Sequence, residues 1–166
     1  NQLATQENYW SKRKLLAAAM LFALLPGLIF VSGIFSAPRI VVAAINDIAK
    51  DKDQGVGLDI AVQTILSNRQ ISLPPESMPI ILTKYCTIAG NQTTHMKIAG
   101  NQKGSVHLFI QHAEHSPGLM QANQGIIDSM PWKIINPRPN LSVLVLYTSD
   151  MNPTSVDKLI HTMFST

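Results

Sequence analysis

The longest apolar run of the chain lies near its N-terminus. Residues 15–37 read LLAAAMLFALLPGLIFVSGIFSA and contain no charged side chain. A helix of this length reaches about 34 Å at 1.5 Å per residue, which exceeds a hydrocarbon core of about 30 Å. The pattern therefore predicts one transmembrane helix over 15–37, preceded by a juxtamembrane segment over 1–14. A cleaved signal peptide is the alternative, but this run is longer than the usual ~7–15 residues and ends at poor cleavage sites.

The charges beside this run predict its orientation. Lys12, Arg13 and Lys14 precede it directly, whereas the other flank carries Arg39 and a cluster of mixed sign over 50–53. Because positively charged flanks stay in the cytoplasm, we expect the N-terminus to be cytoplasmic and the rest of the chain to lie outside. The first residue is Asn and not Met, so we also expect a processed chain or a piece of a longer one.

Helical periodicity follows the apolar run. Residues 40–50 place Val41, Ala44, Ile45 and Ile48 on one stripe, and residues 58–66 form a second amphipathic pattern. The rigid Leu-Pro-Pro sequence at 73–75 comes after them. We interpret 38–70 as a helical connector.

Strand patterns dominate 71–166, which we interpret as one domain. Strands are predicted over 79–86, 95–99, 105–111, 132–135 and 141–148, and a closing helix over 152–164. Residues 141–148 are apolar on both faces, which is typical of a central strand. Helices followed by several strands and a last helix predict an α+β fold with a largely antiparallel sheet and flanking helices.

The string IAGNQ occurs twice, at 88–92 and 98–102, on either side of the short strand at 95–99. A phosphate-binding loop would lead from glycines into a helix, but here both copies lie between strand patterns. Gly and Asn tolerate positive φ, so hairpin turns are the better interpretation. Two copies ten residues apart are also too few and too short for a repeat architecture.

Composition excludes some functions. Only 14% of the residues are charged, against ~25% in soluble domains, which fits a chain partly out of water. The net charge is +3 and the basic residues are dispersed, so no nucleic-acid surface is expected. No catalytic or cofactor-binding signature is present, and the aspartates at 47, 51, 53 and 59 are interpreted as a solvated cluster.

Two groups of residues remain as weak candidates for chemistry. His107, His112 and His115 could hold a metal only if a loop folds so that they converge, and solvated histidines are the better interpretation, so no metal site is predicted. Cys86 is the single cysteine, which excludes an internal disulfide. On a strand it is most often a small buried apolar residue, although in an exported domain it could be a thiol that bridges to a partner.

Several of these residues carry a resemblance. Tyr85-Cys86 with Ile88 and Gly90, His95-Met96 with Ile98 and Gly100, and Gly104 with Val106 resemble a family of uncharacterised bacterial single-span inner-membrane proteins. That family has a periplasmic domain, resembles anti-sigma factors, and is often encoded near extracytoplasmic-function sigma factors. The resemblance implies a bacterial inner-membrane protein whose sigma-factor contact would lie in a segment N-terminal to this chain.

We therefore expect a non-enzymatic, single-pass inner-membrane protein with a periplasmic sensing or binding domain, and the resemblance implies a membrane regulator of anti-sigma type. Its expected partners are membrane lipid and other membrane or periplasmic proteins, without nucleic acid or cofactor. The alternative is an accessory or structural subunit of a larger membrane complex. A metal-dependent periplasmic enzyme is a more distant third hypothesis.

Overall fold

The computed structural model describes residues 37–51, 60–111 and 123–165. Residues Ala37–Thr166 form one compact unit. The segment predicted over 1–14 and the membrane span predicted over 15–37, apart from Ala37, lie outside the described residues. Within the described ranges, no helix has the length and apolar character that crossing a membrane requires.

A six-stranded antiparallel sheet forms the centre of the unit. Its order is β1-β2-β3-β6-β5-β4, and every neighbouring pair runs antiparallel. The predicted α+β class with an antiparallel sheet and flanking helices is thus confirmed. The strands are β1 (Ile80–Ile88), β2 (Asn91–Ala99), β3 (Ser105–Gln111), β4 (Gln124–Ile127), β5 (Met130–Arg138) and β6 (Leu141–Tyr147).

Helices cover both faces of this sheet. Helices α2 (Ile60–Asn68) and α3 (Pro153–Phe164) share an apolar core with alternate strand residues such as Met96, Leu108 and Val145. Helix α1 (Arg39–Ile48) packs in a second apolar core on the opposite face. Because successive side chains of a strand point to opposite faces and both faces are covered, β3 and β6 are buried at nearly every position. The prediction that 141–148 is a central strand is confirmed.

The face under α1 has two unlike halves. Over β5 and β6 it is apolar, with Trp132, Ile134, Leu144 and Leu146 in the α1 core. Over β1 to β3 the same face carries polar side chains, several of them buried: Lys84, Thr93, His95, His107 and Gln111. Helix α1 therefore rests partly on apolar side chains and partly on charged or polar ones.

Side-chain hydrogen bonds lie at the start of α3 and directly after α2. The Asn152 side chain accepts a hydrogen bond from the Thr154 N–H (2.9 Å) and caps α3, with Pro153 in the first turn. The guanidinium of Arg138 on β5 donates to the carbonyl oxygens of Arg69 (2.9 Å) and Gln70 (2.8 Å), directly after α2. Such contacts satisfy carbonyls that the last turn of a helix leaves without partners.

The two IAGNQ copies adopt different structures. In the first, Ala89 (φ 51°) and Gly90 (φ 86°) form a two-residue turn, and β2 already begins at Asn91. Positive φ at both positions is the type I′ geometry of tight hairpins. In the second, residues 100–104 form a longer loop, where the Gly100 N–H donates to the Gly104 carbonyl (2.9 Å). The predicted turns are confirmed, but β2 is longer than the predicted 95–99.

The second half of the sheet was also predicted too short. Strand β5 extends over Met130–Arg138 instead of 132–135, and β4 had no counterpart among the predicted strands. Strand β4 is short, and two of its four side chains are exposed, so no apolar pattern marks it in the sequence. Pairing with β5 defines it.

Glycine at position 104 is required by both its backbone and its surroundings. Its φ is +72°, and a Cβ there would lie 2.3 Å from Thr148 Oγ1 and 2.7 Å from Met151 Cγ. Replacing Gly104 by alanine is expected to lower the free energy of unfolding by about 2–4 kcal/mol, combining a left-handed backbone with overpacking. The matched control is Gly90→Ala, where φ is +86° but no atom lies within 4 Å, so only about 1 kcal/mol is expected. Equal losses in denaturant titrations of the two variants would contradict this account.

Candidate functional site

Strand pairing brings polar residues from three strands together under α1. Lys84 of β1 pairs with His95 of β2, which pairs with Phe109 of β3. His107 lies two residues before Phe109 on β3 and on the same face of the sheet. The register thus places a lysine and two histidines next to one another, although they are far apart in sequence.

Helix α1 adds two carboxylates to this group. Asp47 lies in its last turn, and Asp51 follows one turn later, because the backbone continues to turn and the Asp51 N–H donates to the Ile48 carbonyl (3.0 Å). Asp47 Oδ2 lies 2.9 Å from Lys84 Nζ, and Asp51 Oδ1 accepts a hydrogen bond from the same ammonium. One cation on the sheet therefore binds both carboxylates of the helix. We call Asp47, Asp51, Lys84, His95 and His107 the ionic cluster.

His95 is the buried centre of the ionic cluster. Its side chain has 0% exposure, and its Nδ1 lies 3.1 Å from Asp47 Oδ2 and 3.4 Å from Asp51 Oδ2. His95 Nδ1 has no aligned hydrogen bond to either oxygen within the described part of the chain, and Asp47 Oδ2 instead pairs with Lys84 Nζ. The imidazole therefore faces two carboxylates without a hydrogen bond that satisfies its nitrogen.

A line of polar atoms continues from His95 into the sheet. His95 Nε2 lies 3.0 Å from His107 Nδ1, and His107 Nε2 lies 3.4 Å from Ser105 Oγ. The Phe109 ring stacks on His95 with centroids 4.1 Å apart. A neutral His95 with its proton on Nδ1 faces the carboxylates and accepts from the N–H of His107, and His107 Nε2 then accepts from Ser105. This arrangement gives three of the four ring nitrogens a hydrogen-bond partner and leaves the Nδ1 proton of His95 without an aligned acceptor.

Burial keeps both histidines neutral near pH 7. It is the main cause that lowers the pKa of His95 to about 4; the charge of Lys84 adds to the effect, and Asp47 opposes it. Burial likewise lowers the pKa of His107 to about 3, assisted by His95 and Lys97. For Lys84, burial acts to lower the pKa, but its hydrogen bonds to the two carboxylates outweigh this and raise it. The ammonium is therefore the stable cation of the cluster.

The position of the carboxylates is unfavourable for the helix alone. Asp47 and Asp51 lie at and just beyond the C-terminal end of α1, where the helix dipole is negative and cations are preferred. Lys84 offsets one negative charge, so these three contacting groups sum to −1. Their side chains are 18%, 14% and 27% exposed, so the cluster lies near the surface, although the carboxylate oxygens closest to His95 are themselves buried. The two negative charges are thus unfavourable at this end of the helix, and the contact with Lys84 on the sheet compensates for part of that cost.

These contacts correct one interpretation of the sequence and extend others. Asp47 and Asp51 are not simply solvated, because β1 and β2 cover them; Asp53 and Asp59 lie outside the described residues. Of the three weak metal candidates, His107 lies buried in the ionic cluster, and His112 and His115 lie outside the described residues. His95, Asp47 and Asp51 were not predicted as site residues. The sequence signal that could have indicated this site was His95, a histidine within a predicted strand. Its partners depend on strand register, which the sequence pattern does not specify.

Cys86 lies on β1 next to this cluster. It is half-buried, belongs to the α1 side of the sheet, and its Sγ lies 3.7 Å from the Thr93 carbonyl oxygen. Burial, with a contribution from Asp47, raises the pKa of the thiol to about 12. The thiolate is the reactive form of cysteine, so this environment suppresses disulfide exchange with a partner at neutral pH.

A catalytic interpretation of Ser105, His107 and His95 meets a physical obstacle. The order resembles a serine–histidine relay, but Ser105 is 9% and His107 3% exposed, and a nucleophile must contact its substrate. A groove of about 450 Å³ lies instead beside the 101–103 loop and the start of α3, and its lining includes Lys103, Asp150, Ser155 and Lys158 but no histidine or cysteine. The groove therefore offers hydroxyl groups without an imidazole or thiol beside them, and the buried serine lies outside it.

Comparison with known proteins adds no assignment to this geometry. Family models, curated proteins and solved structures were compared with the chain, and none matches it.

Proposed function

We propose that the chain is a non-enzymatic, single-pass inner-membrane protein whose periplasmic domain senses or binds a ligand through the ionic cluster. The observation that carries this proposal is the contact of Asp47 and Asp51 on α1 with Lys84 and His95 on the sheet. The two carboxylates and the ammonium sum to −1, and the His95 nitrogen that faces them is buried without an aligned hydrogen bond, so a ligand can change the balance of contacts. The buried state of Ser105 supports a binding role in preference to catalysis.

The place of α1 in the sequence supports a signalling role. Arg39, the first residue of α1, follows the end of the predicted span, Ala37, by two residues. A ligand that reorganises the ionic cluster therefore acts on the element next to the membrane segment. A regulator of anti-sigma type, acting through a segment N-terminal to the span, is the form of this proposal that the family resemblance favours.

The first test concerns the end of α1 that the cluster holds. Asp47→Asn and Asp51→Asn, made together in the full chain and studied in detergent micelles, should increase hydrogen exchange of residues 39–51 by at least tenfold. The reason is that each lost contact of a partly buried ion pair weakens the attachment of the helix. Exchange in β3 and β6 should stay unchanged. Asp128→Asn, in an exposed turn, is the matched control. Unchanged exchange in α1 would overturn the proposed link between cluster and helix.

The second test concerns location. Alkaline phosphatase fused after Thr166 should be active in bacterial cells, because the enzyme folds in the oxidising periplasm, and a cytoplasmic reporter at the same position should be silent. The reverse pattern would contradict the proposed topology. Reversing the charges of Lys12, Arg13 and Lys14 should shift the balance between the two reporters.

A specific observation also favours the accessory-subunit alternative. Strand β1 is an edge of the sheet. Its Tyr85 side chain is 53% exposed on the face opposite α1, and Ile81, at the irregularity between Ile80 and Leu82, is 36% exposed. An edge strand can pair with a strand of another protein. The accessory role predicts that the native chain co-purifies with a stoichiometric membrane partner and that Ile81→Lys releases this partner. If that is observed, and the aspartate variants leave hydrogen exchange of residues 39–51 unchanged, the accessory role replaces the sensing role.

A further inference from the structure

We propose that Asp47, Asp51 and His95 form a binding site for a divalent first-row transition-metal ion such as Zn²⁺, which replaces the ammonium of Lys84. This inference deepens the proposed sensing function. That metal binding would act on α1 rests on that proposed function. One ligand atom from each residue lies within 4.8 Å of the others. The group is more than a surface cluster of acids, because its nitrogen ligand is fully buried and directed into it.

The distances match those of a small metal centre. In a tetrahedral zinc site with bonds of about 2.0–2.1 Å, two ligand atoms lie about 3.3 Å apart. His95 Nδ1 lies 3.1 Å from Asp47 Oδ2 and 3.4 Å from Asp51 Oδ2. The described residues show no aligned hydrogen bond between this nitrogen and either oxygen. A nitrogen and two oxygens that approach so closely without an aligned hydrogen bond are expected of ligands that share one ion placed between them.

His107 supplies the support that a metal-binding histidine needs. Such a histidine nearly always donates its second ring N–H to an acceptor, which fixes its tautomer and orientation. His95 Nε2 lies 3.0 Å from His107 Nδ1, and Ser105 Oγ lies 3.4 Å beyond His107 Nε2. When a metal takes Nδ1, the His95 proton moves to Nε2 and donates to His107, and His107 in turn donates to Ser105. Binding thus shifts both imidazoles to their other tautomer, with no net change in the number of protons, and reverses the line of hydrogen bonds.

Charge favours an exchange of Lys84 for the metal. With Lys84 bound, the two carboxylates and the ammonium sum to −1; with a divalent ion in its place, carboxylates and metal sum to zero. Lys97, two residues after His95 on β2, contributes a further positive charge near His95 whether Lys84 or the metal is bound. The Lys84 side chain is 27% exposed, so it can turn into water when the ion enters. One imidazole with two carboxylates suits zinc and its neighbours better than Mg²⁺ or Ca²⁺, which prefer oxygen alone.

The experiment measures zinc binding by the full chain, purified in mild detergent without a histidine tag and stripped with a chelator. Competition with a chromophoric zinc chelator should give one site per chain. His107→Leu removes only the contact that supports His95 and should weaken zinc affinity about 10–100-fold. Asp51→Asn removes a ligand and should weaken zinc affinity by at least as much. Co²⁺ should give a visible absorption spectrum that Asp51→Asn abolishes.

Lys84→Met provides the sharpest arm, because it should strengthen binding. Removing the competing ammonium should tighten zinc affinity roughly tenfold or more, whereas Lys50→Met, an exposed lysine at the same end of α1, should leave it unchanged. His112→Ala with His115→Ala should also leave it unchanged. Absence of stoichiometric zinc binding, weaker binding in Lys84→Met, or loss only in the His112/His115 variant would overturn the site.

A last measurement separates the site from the proposed function. Hydrogen exchange of residues 39–51 is compared with and without zinc in the same preparation. Zinc binding that alters this exchange supports both. Zinc binding with unchanged exchange keeps the metal site and overturns sensing through α1. No zinc binding, together with loosened exchange in the aspartate variants, overturns the metal site and keeps the helix link.

Discussion

Acidifying the metal-free protein from pH 7 to pH 4 is expected to lower its free energy of unfolding by on the order of 6 kcal/mol, with a similar share from each of two buried histidines. His95 and His107 cause this, since burial lowers the pKa of His95 to about 4 and that of His107 to about 3, from about 6.5. Above pH 6.5 both histidines are neutral in the folded and in the unfolded chain, so the full free energy of unfolding is present. As pH falls towards 4, the unfolded chain binds protons that the folded one excludes, so stability is lost. Below both lowered pKa values the folded and unfolded chains bind the same number of protons, so these two groups cause no further loss of stability.

Urea titrations at a series of pH values, with chelator present, measure this effect. Replacing His107 by glutamine should flatten the pH dependence between pH 6.5 and 4, because one buried titrating group is gone. His161→Gln is the matched control, since this histidine is exposed in the last turn of α3 and should leave the curve unchanged. A stability that stays constant from pH 7 to pH 4 would contradict burial of neutral histidines.

Truncating Phe109 to alanine is expected to cost about 3–5 kcal/mol in the free energy of unfolding. The ring is fully buried on β3, stacks on His95, and pairs along the sheet with Leu144 of β6. Its loss leaves a cavity between the apolar and the polar half of the α1 face, and it removes the surface on which the imidazole rests. The effect therefore reaches both the core and the ionic cluster.

Two companion variants test that explanation by denaturant titration. Phe109→Leu keeps much of the volume and should cost roughly 1–1.5 kcal/mol. Tyr85→Ala removes an aromatic ring that is 53% exposed on the edge strand β1 and should cost less than about 1 kcal/mol. A Phe109→Ala loss no larger than that of Tyr85→Ala would contradict the central position of the ring.

The sequence predicted the fold class well where periodicity is strong. The stripe of Val41, Ala44 and Ile48 predicted α1, alternation predicted β3, and a run apolar on both faces predicted the central position of β6. Prediction was poorer for β4 and the start of β2, where polar residues such as Asn91 and Gln92 join a sheet through pairing with a neighbour. Local patterns carry no information about such partners.

The candidate site shows the same division more sharply. The sequence by itself determined that His107 and Phe109 share one face of β3, and that Asp47 lies near the end of a helix. It gave no reason to join them, because 36 residues or more separate Asp47 from Lys84 and His95 along the chain. Only the tertiary structure decided that Lys84 pairs with His95, that His95 meets His107, and that α1 brings two aspartates above them. The physical reason is that strand register and helix docking are set by the whole apolar core, while the charged residues occupy the positions that this core leaves to them.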